Sequence, residues 1–246
     1  ILLYLLCLLP CLALAASNPD RRVVNGVNVD IEDFPFQGSY RTATGSHTCG
    51  CVFVGGPYSL TAGHCGGTSA FTMEYGGSNR GTGTVFSISS VTRHPDYDVG
   101  PGFTPNDISV VFSPSRIDGD NIAPGIVPTV GNPEVNGWVT GWGRTCGGCA
   151  LPIALQGREM PIISDAECTQ RWGNNFNPAS MVCVYDGQGG ACNGDSGGPL
   201  SVGNEIYGLA SWVATGCLST APSAYCRVGA FHDWVCSQTS GGANGC

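Results

Sequence analysis

The chain has 246 residues and a formal net charge of −8, and its ten basic residues are all arginines, with no lysine among them. This balance leaves no basic patch to neutralise phosphates, which excludes nucleic acid as a partner and reads as solubility in an extracellular fluid. The length suits one large all-β domain or two small ones, enough to bury a core.

Residues 1–16, ILLYLLCLLPCLALAA, are uncharged and end in the small residues Ala13, Ala15 and Ala16, the pattern of a cleaved secretory signal. The run is shorter than the ~20 apolar residues that span a bilayer, and no later run replaces it, so no membrane association is expected. With Cys7 and Cys11 leaving in the signal, an even number of cysteines remains, which in an exported chain reads as a disulfide framework.

The 38 glycines and 16 prolines are spread evenly, and the segments between them are short and rich in Val, Ile, Thr, Phe and Tyr, the texture of an all-β fold. LTAGHC at 60–65 sets His64 beside a cysteine. Phe86 and Ile88 alternate with Ser87 and Ser89 as in a half-buried strand. NDISVVF at 106–112 puts Asp107 at the head of an apolar strand, where an unpaired carboxylate is costly to bury. Ser164 followed by Glu167 forms a capping box for a short helix over 164–171. GACNGDSGGPL at 190–200 hems Ser196 with glycines, which lets the backbone turn sharply and leaves N–H groups free to form an oxyanion hole. Residues 205–213 read as another apolar strand, and Val228, Phe231 and Val235 give one apolar face to a terminal helix. No repeat, linker or shift in composition marks a second module.

Each of these segments alone has an ordinary structural explanation. Together, in the chain order His64, Asp107, Ser196, they resemble the chymotrypsin (trypsin-like) serine protease family, the type example of Ser-His-Asp catalysis. RVVNG at 22–26, SHTCG at 46–50, HPDY at 94–97, GWG at 141–143, SWV at 211–213 and the pair Trp234, Val235 extend the match over nearly the whole mature chain. The resemblance implies two six-stranded antiparallel β-barrels with a C-terminal helix and the active site between them, a peptidase domain spanning 23–246. It makes Ser196 the nucleophile, His64 the general base and acid, and Asp107 the group that orients the imidazole. It gives the oxyanion hole to the N–H groups of Gly194 and Ser196, and the pairing with the substrate backbone to Ser211, Trp212 and Val213. The implied partners are protein or peptide substrates, an activating trypsin-like protease and protein protease inhibitors. A monomer without cofactor is implied.

By the same resemblance a propeptide, 17–22, is cut after Arg22, and the new amino group of Val23 pairs with Asp195 to order the oxyanion loop. His47 matches the position that holds this aspartate in the precursor. The base of the specificity pocket falls on Gly190, with no carboxylate for an Arg or Lys side chain, so cleavage after basic residues, including the chain's own Arg22, is not expected. Val213 and Ser223 stand where related enzymes have wall glycines, which resembles an elastase-like pocket. Ala, Val, Leu or similar residues are expected at P1. A taste for Phe or Tyr is the alternative, because Ala191 and Ser223 are small. SWV together with GACNGDSGGP is similar to invertebrate digestive and fibrinolytic members.

Family spacing pairs Cys49 with Cys65, Cys168 with Cys183, and Cys192 with Cys217. A further bridge common in the family needs cysteines at Gly137 and Val202, and both are absent together. Cys51, Cys146, Cys149, Cys226, Cys236 and Cys246 allow fifteen pairings. CGGC at 146–149 is read as a structural bridge ahead of a zinc or redox motif, and Cys236 with Cys246 as a tie for the C-terminus. Gly63 replaces the alanine usual before the histidine, expected to add only local freedom. No metal site is expected, since Glu74 is the sole carboxylate between Cys65 and Arg80. The competing class is a secreted binding protein that kept the fold without the activity. Such relatives lack a triad member, whereas this chain retains all three.

Overall fold

The computed structural model describes residues 23–67, 71–98 and 104–246; the signal over 1–16 and the propeptide over 17–22 lie outside the described residues. A two-residue strand β1 (Val27–Asn28) is followed by β2 (Gln37–Thr42), β3 (His47–Gly55), β4 (Tyr58–Thr61), β5 (Phe71–Tyr75), β6 (Thr84–Ser87), β7 (Ser90–Arg93) and β8 (Ser109–Phe112). Strands β2 to β8 form one antiparallel sheet in the order β6-β5-β2-β3-β4-β8-β7. Its two edges are consecutive in the chain, separated only by Ile88 and Ser89, so the sheet curls until both edges come from one bent segment. Tyr40, Met73, Tyr75, Val111 and Ile117 fill the inside, large apolar side chains whose burial drives the closure.

The second half holds β9 (Asn136–Gly141), β10 (Gln156–Ile163), α1 (Asp165–Trp172), β11 (Met181–Val184), β12 (Pro199–Val202), β13 (Glu205–Trp212), β14 (Ser223–Arg227) and α2 (His232–Gln238). The sheet runs β1-β10-β11-β14-β13-β12-β9, and an added β9–β10 pairing closes it. Six strands thus make a barrel, and β1 lies against β10 as an annex. The expected pair of antiparallel barrels with a C-terminal helix is present. Each sheet counts seven strands because the bend at 88–89 splits one segment and β1 joins from outside.

Val139, Met160, Ile162, Val182, Val184 and Leu200 fill the second barrel. A third cluster, including Phe36, Val52, Leu60, Ile108, Leu209 and Val235, joins the two barrels. Ser164 caps α1 by accepting the N–H of Glu167 at 3.2 Å. The Glu167 carboxylate turns to Arg171 at 2.8 Å, so only half of the capping box forms. The terminal helix begins as a 3-10 turn over Val228–Phe231 before α2.

Among the described residues five disulfides form: Cys49–Cys65, Cys168–Cys183 and Cys192–Cys217, and also Cys146–Cys149 and Cys236–Cys246. Cys51 and Cys226 are unpaired, which corrects the expectation of a complete framework. The reason is topological: Cys51 lies in the core of the first barrel and Cys226 in the cluster between the barrels. Gly137 and Val202 fall one step beyond the pair Ser201↔Trp138 in the β9–β12 register, so the two missing cysteines would have faced each other.

Candidate active site

His64 sits on a 3-10 turn, Gly63–Cys65, that follows β4. Asp107 immediately precedes the strand segment leading into β8, behind Asn106, whose positive φ of 54° makes the turn. The Asp107 carboxylate is fully buried and three donors converge on it. Oδ2 lies 2.8 Å from His64 Nδ1 and accepts the hydroxyl of Ser211 at 2.5 Å, while Oδ1 accepts the backbone N–H of His64 at 2.9 Å. A buried carboxylate paired and bonded this fully stays compatible with the interior. It also fixes the ring so that Nε2 faces the cleft.

Ser196 and His64 line one cavity of about 270 Å³, with Ala191, Trp212, Val213 and Ala224 on its walls. Among the described residues Ser196 Oγ has no hydrogen-bond partner, and contacts of this kind commonly tighten only when substrate is bound. Its loop is built on glycines with positive φ, 100° at Gly194 and 76° at Gly197. At this φ a Cβ on Gly194 is strained whatever the space, and it would also lie 3.1 Å from the Cα of Gly143. The N–H groups of Asp195, Gly197 and Gly198 are all bonded to carbonyls, whereas among the described residues those of Gly194 and Ser196 have no acceptor.

Behind the loop, Asp195 is buried and accepts the N–H groups of Gly143 at 2.8 Å and Cys192 at 2.9 Å. Burial pushes its carboxyl up to about 7, against the lowering effect of these two bonds. Val23 is fully buried in the second barrel's cluster, and the N–H of Val24 donates to the Gly190 carbonyl at 3.2 Å. His47 does not bond to Asp195. Its Nε2 donates to the carbonyl of Gly194 at 2.9 Å and its Nδ1 accepts from Ser39 Oγ at 2.7 Å. Burial lowers the His47 pKa to about 4, outweighing the bond to Gly194, so the ring is neutral at pH 7.

Gly190 and Ser223 do not line the cavity of Ser196 and His64, but they adjoin each other next to its wall residues Ala191 and Ala224: a Cβ at 190 would collide with Ser223 Oγ, which accepts the N–H of Ala191 at 3.1 Å. Ser223 therefore occupies the space that an acidic side chain at 190 would need. Val213 is half-buried against the second barrel's cluster.

A family model described as Trypsin matches residues 23–235. The chain belongs to the trypsin family of serine proteases. It is 35% identical over 252 residues to a chymotrypsin-like serine proteinase of Haliotis rufescens, covering 95% of this chain and 97% of that protein. It is 32% identical to fibrinolytic enzyme isozyme C of Lumbricus rubellus, with 87% and 98% covered. Its fold superposes on that of neuropsin, a serine protease expressed in mouse brain, with a TM-score of 0.81, 23% identity, and 87% and 98% of the two chains covered. The protein is thus a serine endopeptidase, a hydrolase whose substrates are proteins.

Several contacts in this protease had no signal in the sequence. Gly63 is one: a Cβ there would lie 2.8 Å from the ring of Tyr97 and 3.1 Å from Asp107 Oδ1, so the glycine makes room for Tyr97 instead of merely loosening the turn. Ser211 was expected only along the substrate backbone, yet its hydroxyl also holds Asp107. Trp212 is braced by Trp172 edge-on at 4.6 Å between ring centres. Ser39 emerges as the partner of His47, a relation that only pairing of β2 with β3 reveals. Glu74 is held by Arg41 at 2.5 Å and by the N–H of Gly83 at 2.8 Å. Among the described residues, Cys49, His64 and Cys65, and likewise His232, Cys236 and Cys246, come within ligand distance of one another, but their sulfurs are engaged in disulfides. No helix of the described residues is long and apolar enough to cross a membrane.

Proposed function

We propose that His64, Asp107 and Ser196 are the catalytic residues of a secreted, monomeric endopeptidase that is activated by cleavage after Arg22 and cuts after small to medium apolar residues. The observation that carries the reading is the bond of His64 Nδ1 to the buried Asp107, 2.8 Å long, beside a cavity lined by Ser196, whose loop carries two uncommitted N–H groups. His64 Nε2 takes the hydroxyl proton as Ser196 Oγ attacks the scissile carbonyl carbon. The carbonyl oxygen, now negative, accepts the N–H groups of Gly194 and Ser196. The proton then passes from His64 to the leaving amine, which departs and leaves an ester on Ser196. Water, deprotonated by the same His64, attacks that ester, and His64 returns the proton to Ser196 Oγ as the acid product leaves. This family is the type example of the mechanism, and each oxyanion donor contributes on the order of 3 kcal/mol in comparable sites.

The activation reading is supported by the burial of Val23 and by the lack, among the described residues, of a cationic partner for Asp195, whose raised carboxyl pKa an inserted ammonium group would lower. Five disulfides favour an oxidising, extracellular setting. The uncharged floor at Gly190, guarded by Ser223, argues against cleavage after Arg, so a separate trypsin-like protease performs the activating cut. The apolar P1 reading rests on Val213 narrowing the cavity. An aromatic P1 is the second reading, favoured by the small walls Ala191 and Ala224. Labelling by a fluorophosphonate after cleavage at Arg22, followed by a comparison of peptides ending in Ala, Leu, Phe and Arg, tests both. Absence of labelling would overturn the catalytic assignment, and dominant cleavage after Arg would overturn the pocket.

A further inference from the structure

An ion pair beside Gly190 joins three segments of chain that are distant in sequence. Arg158, on β10, donates from Nη1 to the carbonyl of Asn25 at 2.7 Å and from Nη2 to Asp186 Oδ2. Asp186 Oδ1 accepts the N–H groups of Gln188 at 2.8 Å and Gly189 at 3.1 Å. Asn25 Nδ2 completes the ring of contacts by donating to the carbonyl of Gln188. Gly189 has no room for a side chain, since a Cβ there would strike the carbonyl of Val24 and lie 2.8 Å from Arg158 Nε. The next residue is Gly190, already bonded to Val24.

Both charged side chains are only 17% exposed, so their bonds are shielded from water and are of the stronger, charge-assisted kind. Burial pushes the Asp186 carboxyl up, yet Arg158 and the N–H groups of Gln188 and Gly189 together outweigh it and hold it below its ordinary range. Arg158 Nε is buried without an acceptor, so the two Nη contacts alone orient the guanidinium.

We propose that Arg158 and Asp186 are positioning residues for substrate binding: their pair fastens the segment 23–26 to the loop 186–190 and thereby fixes the pocket floor at Gly190. The inference rests on the reading of Gly190 as that floor and of Val23 as the activated N-terminus. Neither side chain bonds to His64, Asp107 or Ser196, and Val23 keeps its own burial in the second barrel and Val24 its own bond to Gly190 without them, so the clamp acts on how a side chain is seated and leaves the docking of Val23, and with it the chemical step, in place. A P1 residue long enough to reach the floor depends on it, whereas alanine at P1 does not.

The test is Arg158→Met in the protease activated by cleavage after Arg22, with kcat and KM measured for peptides carrying Leu or Ala at P1, and Ser196 titrated with a fluorophosphonate. Loss of two bonds to a charged group predicts a rise in KM of roughly tenfold for the Leu peptide, and of less than about threefold for the Ala peptide. The kcat values and the labelled fraction are unchanged, and Arg158→Lys recovers part of the loss. Equal changes for the two peptides, a fall in kcat alone, or no change would overturn the clamp. If the wild-type protease is not labelled, the underlying catalytic reading fails instead. Should Arg158→Met fold poorly, Asp186→Asn removes the charge while retaining the acceptor for Gln188 and Gly189, and the same Leu-over-Ala difference is expected.

Discussion

The two sides of the cleft are held by different means. His64 and Asp107 stand at the ends of β4 and β8, strands that pair directly through Thr61↔Ser109, and both the imidazole and the backbone of His64 bond to Asp107. Ser196 stands on a loop without strand pairing of its own. Gly50 reaches across to the carbonyl of Ser196 at 2.7 Å, His47 holds Gly194, and Gly143 and Cys192 hold Asp195. The base side follows from closure of one sheet, whereas the nucleophile side depends on segments that must dock from elsewhere. Enzymes that must stay idle until processed gain from this division, because a docking event can then control half of the site.

The sharpest way to break the comparison is to remove one group from each side. Ser196→Ala is expected to lower kcat by about 10⁶-fold while leaving the thermal midpoint unchanged. Asp107→Asn is expected to cost about 10⁴-fold, the size of the effect in the family's type example. Steady-state kinetics beside calorimetry checks both, and normal peptide cleavage by Ser196→Ala would remove the basis of the whole assignment. On the pocket wall, Val213→Gly is expected to shift the ratio of Phe to Ala cleavage toward Phe by between about 10- and 200-fold, read from paired peptide substrates.

A pH titration of stability sharpens the conditional side. Asp195, raised from its ordinary 3.8 to about 7, favours the folded state when protonated, so its contribution is lost as pH rises from about 4 to 7. His47, lowered from 6.5 to about 4, favours the folded state when neutral, so its contribution is lost as pH falls through the same range. The two oppose each other while Asp195 has no cation beside it. On the proposed activation, in which Val23 brings a free ammonium group next to Asp195, the first effect disappears and that of His47 remains. Urea unfolding at pH 4.5 and 6.5 is therefore expected to find the activated form more stable at the higher pH, by on the order of 1–2 kcal/mol, and an uncleavable Arg22→Gln precursor nearly indifferent. A precursor with the same slope as the activated form would count against Asp195 as the receiver. The smallest effect expected is on the base side. Gly63→Ala crowds Tyr97 and should cost about 1–3 kcal/mol, measurable by the same unfolding experiment, with partial recovery in a Tyr97→Leu background.

The sequence was most legible where chemistry demands a particular residue. LTAGHC, the Asp107 strand and GACNGDSGGPL each carried their side chains to one cleft, and the glycines around Ser196 were readable because the loop tolerates nothing larger. Contacts that arise from packing between distant segments were not readable. Arg158 and Asp186 are 28 positions apart and nothing local links them; the Tyr97 ring gives Gly63 its purpose; His47 reaches Gly194 only because the barrels abut. The cysteines divide along the same line. Pairs that the family resemblance implies could be named, while the isolation of Cys51 from Cys226 depends on which core each residue enters.

The burial of Val23 has a chemical consequence when joined to the composition. With no lysine anywhere in the sequence, a form beginning at Val23, the processed form proposed above, would own a single primary amine, the group that on that proposal switches the site on. Acylating agents and aldehydes, which on most proteins scatter over many surface sites, would have here one sheltered target. The degree of amine labelling under denaturing conditions would count processed chains one for one, and the rate of labelling of the folded enzyme would report how often the N-terminus leaves its pocket.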